Sequence, residues 1–214
     1  MYIPAHFAES SVPTLHGVMR QHPFATMIAA TASGLEANHI PLVLDASPSQ
    51  YGTLRGHIAR ANTLWQRLDA GSEVLAVFHG PHHYISPSWY PSKREHGRVV
   101  PTWNYVAVHA RGRIEWCHDA AWLRRFVEAL TTQHEAAEES PWHVTDAPED
   151  YVQRMLGAIV GFEISIGELS GKWKLSQNRT PADRTGAVKA LAERDADARA
   201  MATVMDAGLK SGDE

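Results

Sequence analysis

VVPTWNYVAVHARGRIEW, residues 99–116, is the stretch on which the fold turns. Aromatic and β-branched residues recur at alternating positions along it, which is the period of a half-buried strand. Upstream, EVLAVFHG (73–80) reads as a strong strand and HYISPSWY (83–90) as a second, with Gly80-Pro81-His82 as the turn between them. FATMIAATA (24–32) is a buried strand, Gly34 turns the chain into LEANHIPLVLD (35–45), and YGTLRGHIA (51–59) is the next strand. Pro41 marks an edge or a strand start, because proline has no N–H for the ladder. Strand character returns in IVGFEISIGELSGKWKLSQ (159–177).

Helices fill the spaces between. Ser10 and Ser11 followed by Pro13 open one that His22-Pro23 stops. ARANTLWQRLDAG (59–71) is a short helix capped by Gly71, and DAAWLRRFVEALTTQHEAAEE (119–139) is amphipathic. PEDYVQRMLGA (148–158) is another, and residues 181–214 read as one long terminal helix. About seven strands with scattered helices predict an α+β fold, a mostly antiparallel barrel with peripheral helices. The expected organisation is a barrel domain over 1–180 with a helical insertion at about 118–157, and a C-terminal helix over 181–214 packed on the barrel.

Composition narrows the function. The 214 residues hold 20 basic and 24 acidic side chains, a net charge of −4, which argues against a uniformly basic nucleic-acid binder. Cys117 is the single cysteine, so neither an intramolecular disulfide nor a cysteine-only zinc site is available. The most apolar run, Phe24 to Ala32, is too short for a membrane span. MYIPAHFAES has no basic start or apolar core of a signal peptide. A cytoplasmic protein with no membrane partner is expected. GxGxxG after a strand, GxxxxGK[ST], GxSxG and HExxH are all missing.

Four groups of residues could bear chemistry. His79, His82 and His83 offer imidazoles to a metal, but alternation along a strand–turn–strand keeps all three from converging, and no metal is expected. Gly56-His57-Ile58-Ala59-Arg60-Ala61-Asn62 places a strand end before a helix start. It reads either as an anion site, with Arg60, His57 and Asn62 as donors, or as a helix cap beside a surface charge. In GKWKLSQNR (171–179), alternation puts Lys172, Lys174 and Ser176 on one face. That row suits an anion if it faces inward and is an ordinary solvated face if outward. Trp89, Tyr90, Trp103 and Tyr105 suit a planar ligand, an interface or plain core packing. Asn104, between two of them, needs a polar partner.

With these residues in view the sequence resembles the PaiB-type FMN-binding transcriptional regulators. The resemblance runs through Tyr2-Ile3-Pro4-Ala5-His6-Phe7, Asn38-His39-Ile40-Pro41-Leu42 and Gly56-His57-Ile58-Ala59-Arg60-Ala61-Asn62. It continues in His79-Gly80-Pro81-His82, Tyr84 to Tyr90, Val100-Pro101-Thr102-Trp103-Asn104-Tyr105 and Lys174-Leu175-Ser176-Gln177-Asn178-Arg179. It implies a split β-barrel related to pyridoxamine-phosphate-oxidase-like flavoproteins, with FMN at a homodimer interface. It also implies negative transcriptional regulation, although no helix-turn-helix is readable and DNA would be met weakly or indirectly. For FMN, Arg60, His57 and Asn62, aided by Lys174 and Ser176, are the expected phosphate ligands. Trp103 or Tyr105 would stack on the ring and Asn104 would meet its edge. His39 beside Pro41, and Gln177 in the last block, complete the expected cofactor set. A flavin-dependent oxidoreductase is the alternative, with no catalytic acid or base assigned beyond histidine by type.

Overall fold

The computed structural model describes residues 1–47 and 49–210. Its strands are β1 (Ala8–Glu9), β2 (Phe24–Thr31), β3 (Gly34–Pro41), β4 (Val43–Asp45), β5 (Thr53–Ala59), β6 (Glu73–Ile85), β7 (Thr102–Cys117) and β8 (Ile159–Lys174). The helices are α1 (Val12–Gln21), α2 (Leu64–Arg67), α3 (Ser92–Glu95), α4 (Ala120–Glu135), α5 (Glu149–Gly157), α6 (Pro181–Ala192) and α7 (Ala196–Lys210). Among the described residues the strands form one eight-stranded sheet in the order β3-β2-β6-β7-β8-β5-β4, with β1 paired to β8. The pairs β1/β8, β2/β3, β2/β6, β4/β5 and β5/β8 are all antiparallel. No helix among the described residues is long and apolar enough to cross a membrane.

Four sequence expectations need correction. The turn expected at Gly80-Pro81-His82 is absent: β6 runs unbroken through it for 13 residues. Gly80 serves close packing instead, since a Cβ there would sit 3.0 Å from the Cβ of Val106 on β7. The strand expected over 83–90 ends at Ile85. Pro87–Trp89 form a 3₁₀ turn whose start is set by Ser86, its hydroxyl accepting the Ser88 N–H at 3.2 Å. The strand expected over 35–45 breaks at Leu42, whose N–H bonds the Pro23 carbonyl at 2.9 Å.

The single terminal helix is in fact two. α6 ends at Ala192 and Asp195 restarts the chain, its carboxylate accepting the Ala198 N–H at 2.9 Å as an N-terminal cap. Residues 211–214 of the expected helix lie outside the described residues.

The chain packs into two units, one of residues 1–22, 78–109 and 170–214, the other of residues 23–77 and 110–169. β6, β7 and β8 each contribute to both. In the first unit, Tyr90, Val106, Leu191, Met201 and Met205 join one core cluster that takes in both terminal helices. Thr180 caps α6, and Asp183, 2% exposed, accepts the Ser92 N–H at 3.1 Å and the Ser92 hydroxyl at 2.7 Å. In the second unit, Asp119 caps α4 through the Trp122 N–H at 2.7 Å. Trp122 then lies on Gly161 of β8, where a Cβ would come within 2.2 Å of the indole. Leu123, Val144, Val152 and Leu156 make the core beneath α4 and α5.

Candidate functional site

The alternation of β7 decides what its aromatic block can do. Trp103, Tyr105 and His109 follow one another at even spacing and line a cleft of about 500 Å³ in the first unit, together with His79 and His82 of β6 and Met1. Trp103 is 49% exposed and stacks on His82 with ring centroids 5.9 Å apart and planes 29° apart. Tyr84 meets the same indole edge-on at 6.3 Å. The surface is therefore flat, aromatic and edged with imidazole nitrogens, and it suits a planar heteroaromatic ligand of flavin size.

Asn104 faces the other way. It is fully buried, its amide nitrogen lies 2.9 Å from the Ser176 hydroxyl and 3.3 Å from Met205 Sδ, and that hydroxyl lies 3.2 Å from its amide oxygen. Trp103 and Asn104 thus stand on opposite faces of the strand, and Asn104 finds its polar partner within the protein.

β8 ends at Lys174, three residues short of the expected strand, so the Lys172-Lys174-Ser176 row does not continue as a strand face. Ser176 takes φ 64°, a left-handed conformation rare outside glycine. It is 3% exposed and keeps that geometry through its bond with Asn104. Gln177 braces the same turn, donating to the Trp173 carbonyl at 2.5 Å and accepting the Leu175 N–H at 2.7 Å. The Lys174 ammonium donates to the Thr102 hydroxyl at 2.7 Å. Lys172, 8% exposed, donates to the Tyr2 carbonyl at 3.0 Å and lies over the rings of Tyr2 and Tyr105 at 5.6 and 5.3 Å.

His39, Pro41, His57, Arg60 and Asn62 all belong to the second unit. His39 sits on β3 opposite Thr26, its Nδ1 3.1 Å from the threonine hydroxyl, and Pro41 closes the same strand. Asn62 bonds the Asn38 side chain at 2.7 Å and accepts the Leu64 N–H at 3.1 Å, holding the entry to α2. Arg60 donates from Nε to the Gly157 carbonyl at 2.7 Å and from Nη2 to the Ile159 carbonyl at 2.9 Å. It thereby ties the last residue of α5 to the first of β8, and a cation at that helix end is also favoured by the helix dipole. His57 points toward α4, edge-on to Phe126 at 5.7 Å, and burial pushes its imidazole below the ordinary histidine range. No group of three or more histidine, cysteine or acidic side chains among the described residues is placed to hold a metal ion.

Sequence reasoning missed His109 and Met1 as cleft residues. The signal for His109 was available: it lies two, four and six positions from Ala107, Tyr105 and Trp103 on a strand of period two. Met1 carried no such signal, because its place depends on where the N-terminal segment lies.

Residues 1–168 match the FMN_bind_2 family, described as "Putative FMN-binding domain". The chain is 36% identical to the uncharacterized protein AN0679 of Emericella nidulans, over 92% of this chain and 93% of that one. It is 31% identical to the protease synthase and sporulation protein PAI 2 of Bacillus subtilis, over 98% and 99%. Among solved structures it is similar to the FAD and heme binding protein of Mycobacterium smegmatis, with a TM-score of 0.59 at 14% identity, covering 84% of this chain and 79% of that one. That last likeness concerns the fold. An antiparallel sheet with peripheral helices, an aromatic cleft of flavin size and a family match over most of its length make this chain a split-barrel member of the FMN-binding family that includes PaiB.

Proposed function

We propose that the chain is a cytoplasmic, FMN-holding homodimer of the PaiB regulator type, in which flavin is the sensing or structural ligand. The observation that supports this most is Trp103, half exposed over a cleft whose other walls are Tyr105 and three histidines. The residues present fit the cofactor: ring faces for the tricycle and imidazole N–H groups for its polar edge. Trp103 and Tyr105 hold the ring, while Asn104 and Ser176 fix the strand from behind it. Lys174, in the same unit, is the cation offered to the phosphate. Bound FMN supplies a ring that takes up and returns one or two electrons.

The dimer is supported by the exposed apolar rim of the first unit, where Tyr2, Tyr84, Val100 and Trp103 stand in solvent. Light scattering should give twice 23.7 kDa, and a dilution-resistant monomer would overturn it. FMN titration followed by flavin fluorescence is the test of the site. Trp103→Leu should weaken FMN and riboflavin alike, because it removes ring contact. Lys174→Ala should weaken FMN by about 1.5–3 kcal/mol and leave riboflavin unchanged. Equal losses for both ligands remove that residue from the phosphate site.

A second reading, redox chemistry on a small substrate, draws support from the three cleft histidines, since an imidazole can both give and take a proton. Anaerobic NADH or NADPH separates the two readings. Flavin bleaching at a steady rate favours the oxidoreductase. An unchanged flavin, together with a shift of upstream DNA at stated salt, favours the regulator.

A further inference from the structure

Beyond the flavin cleft, the second unit holds a separate pocket of about 440 Å³. It is concave, with walls from β5, α4, α5 and the segment that joins the two helices. Val144, Val152 and Leu156, which form the small core beneath these helices, also form part of its lining. Trp142, Tyr151 and Met155 stand around it, each close to half exposed. No lysine, arginine, aspartate or glutamate lines it.

The one histidine in its wall is His57. Its Nδ1 is buried and has no hydrogen-bond partner, and the residue forms part of the pocket's lining. Burial also favours the uncharged ring. An anion in this setting would lose its hydration and find no cation to replace it. A flat protein surface would not fill a hollow walled by several elements, whereas a compact molecule would.

We propose that this pocket binds a neutral, largely apolar small molecule of one or two rings, bearing a single hydroxyl or carbonyl group that hydrogen-bonds to His57. The pocket shares no lining residue with the aromatic cleft of the first unit.

The test is calorimetric titration of FMN-saturated protein with 2-naphthol, its anionic relative 2-naphthoate, and naphthalene. The expected result is saturable 2-naphthol binding at one site per chain, at least about tenfold tighter than 2-naphthoate, as an unpaired buried charge requires. Naphthalene should bind roughly three- to tenfold more weakly than 2-naphthol, the worth of one neutral hydrogen bond. His57→Phe should erase the preference for 2-naphthol over naphthalene while both still bind. Ala147→Phe, which adds a ring to the lining, should abolish 2-naphthol binding and leave FMN affinity unchanged. If Ala147→Phe does not fold, Met155→Arg is read instead, and it should narrow the gap between 2-naphthoate and 2-naphthol. Equal binding of 2-naphthoate and 2-naphthol by the wild type overturns the proposal. So does retention of 2-naphthol by Ala147→Phe. An absence of any binding, with Met155→Arg lowering the mass seen by light scattering, overturns it in favour of an interface between copies.

Discussion

The two helical attachments of this protein solve the same problem in different ways. The α6–α7 hairpin of the first unit is closed with polar bonds inside apolar packing: Asp183 takes both groups of Ser92, and Asn104 meets Ser176 and Met205. The α4–α5 pair of the second unit meets its strands through Trp122, Leu123, Val152 and Leu156, and a pocket of about 440 Å³ remains beside it. Buried polar pairs demand one arrangement, because a displaced partner leaves a donor or acceptor without water. Apolar contact tolerates a gap, and a gap is where a ligand can sit. The first attachment is built for definition and the second for accommodation.

The largest effect that separates them should come from matched leucine truncations. Leu191→Ala, in the filled hairpin core, should cost about 3–5 kcal/mol in urea denaturation. Leu156→Ala, beside an existing pocket, should cost about 2–3 kcal/mol, because less well-packed surroundings lose less. Equal costs would mean that the two cores are packed alike.

Asp183→Ala comes next. It strips the Ser92 N–H and hydroxyl of their acceptor at once and should cost about 2–3 kcal/mol. The double variant with Ser92→Ala should cost less than the sum of the single variants. Strict additivity would show that the pair does not act as a unit.

The smallest effect concerns His57. Its folded pKa lies below the unfolded value, so the unfolded chain binds more protons as pH falls through the ordinary histidine range near 6.5. Stability contributed by the neutral ring is therefore present above that range and is lost on acidification until the folded pKa is reached. His22, also lowered by burial, acts in the same direction. His57→Phe should flatten the fall in Tm between pH 7.5 and 5.5 by a few degrees, corresponding to about 1 kcal/mol or less. An unchanged slope would place the acid sensitivity elsewhere.

Much of the sheet was legible in the sequence because its strands obey period two over long runs, from FATMIAAT to TWNYVAVHARGRIEWC. What misled was local chemistry overruled by tertiary packing. Gly80-Pro81 has the composition of a turn, yet Val106 needs the space above Gly80, and that need arises only once β7 is in place. The split at Asp195 was readable as a cap, but the apolar positions on either side continue a helical stripe and hid it. That Trp103 and Tyr105 share one face was legible for the same reason as β7 itself. Asn104 was read with its neighbours although alternation sets it on the opposite face, and its partner Ser176 adopts a left-handed backbone that no propensity would suggest.

The tie between the first and last strands also sets a schedule for synthesis. Lys172 donates to the carbonyl of Tyr2, 170 residues earlier, and β1 pairs with β8. At about 5–20 residues per second, a ribosome leaves that N-terminal segment without its strand partner for roughly ten to thirty seconds. During that interval Ala8 and Glu9 lack the strand residues they pair with in the finished fold, and the Tyr2 carbonyl lacks the Lys172 ammonium. The N-terminal edge of the sheet is therefore completed only after residues 171 and 172 have been made.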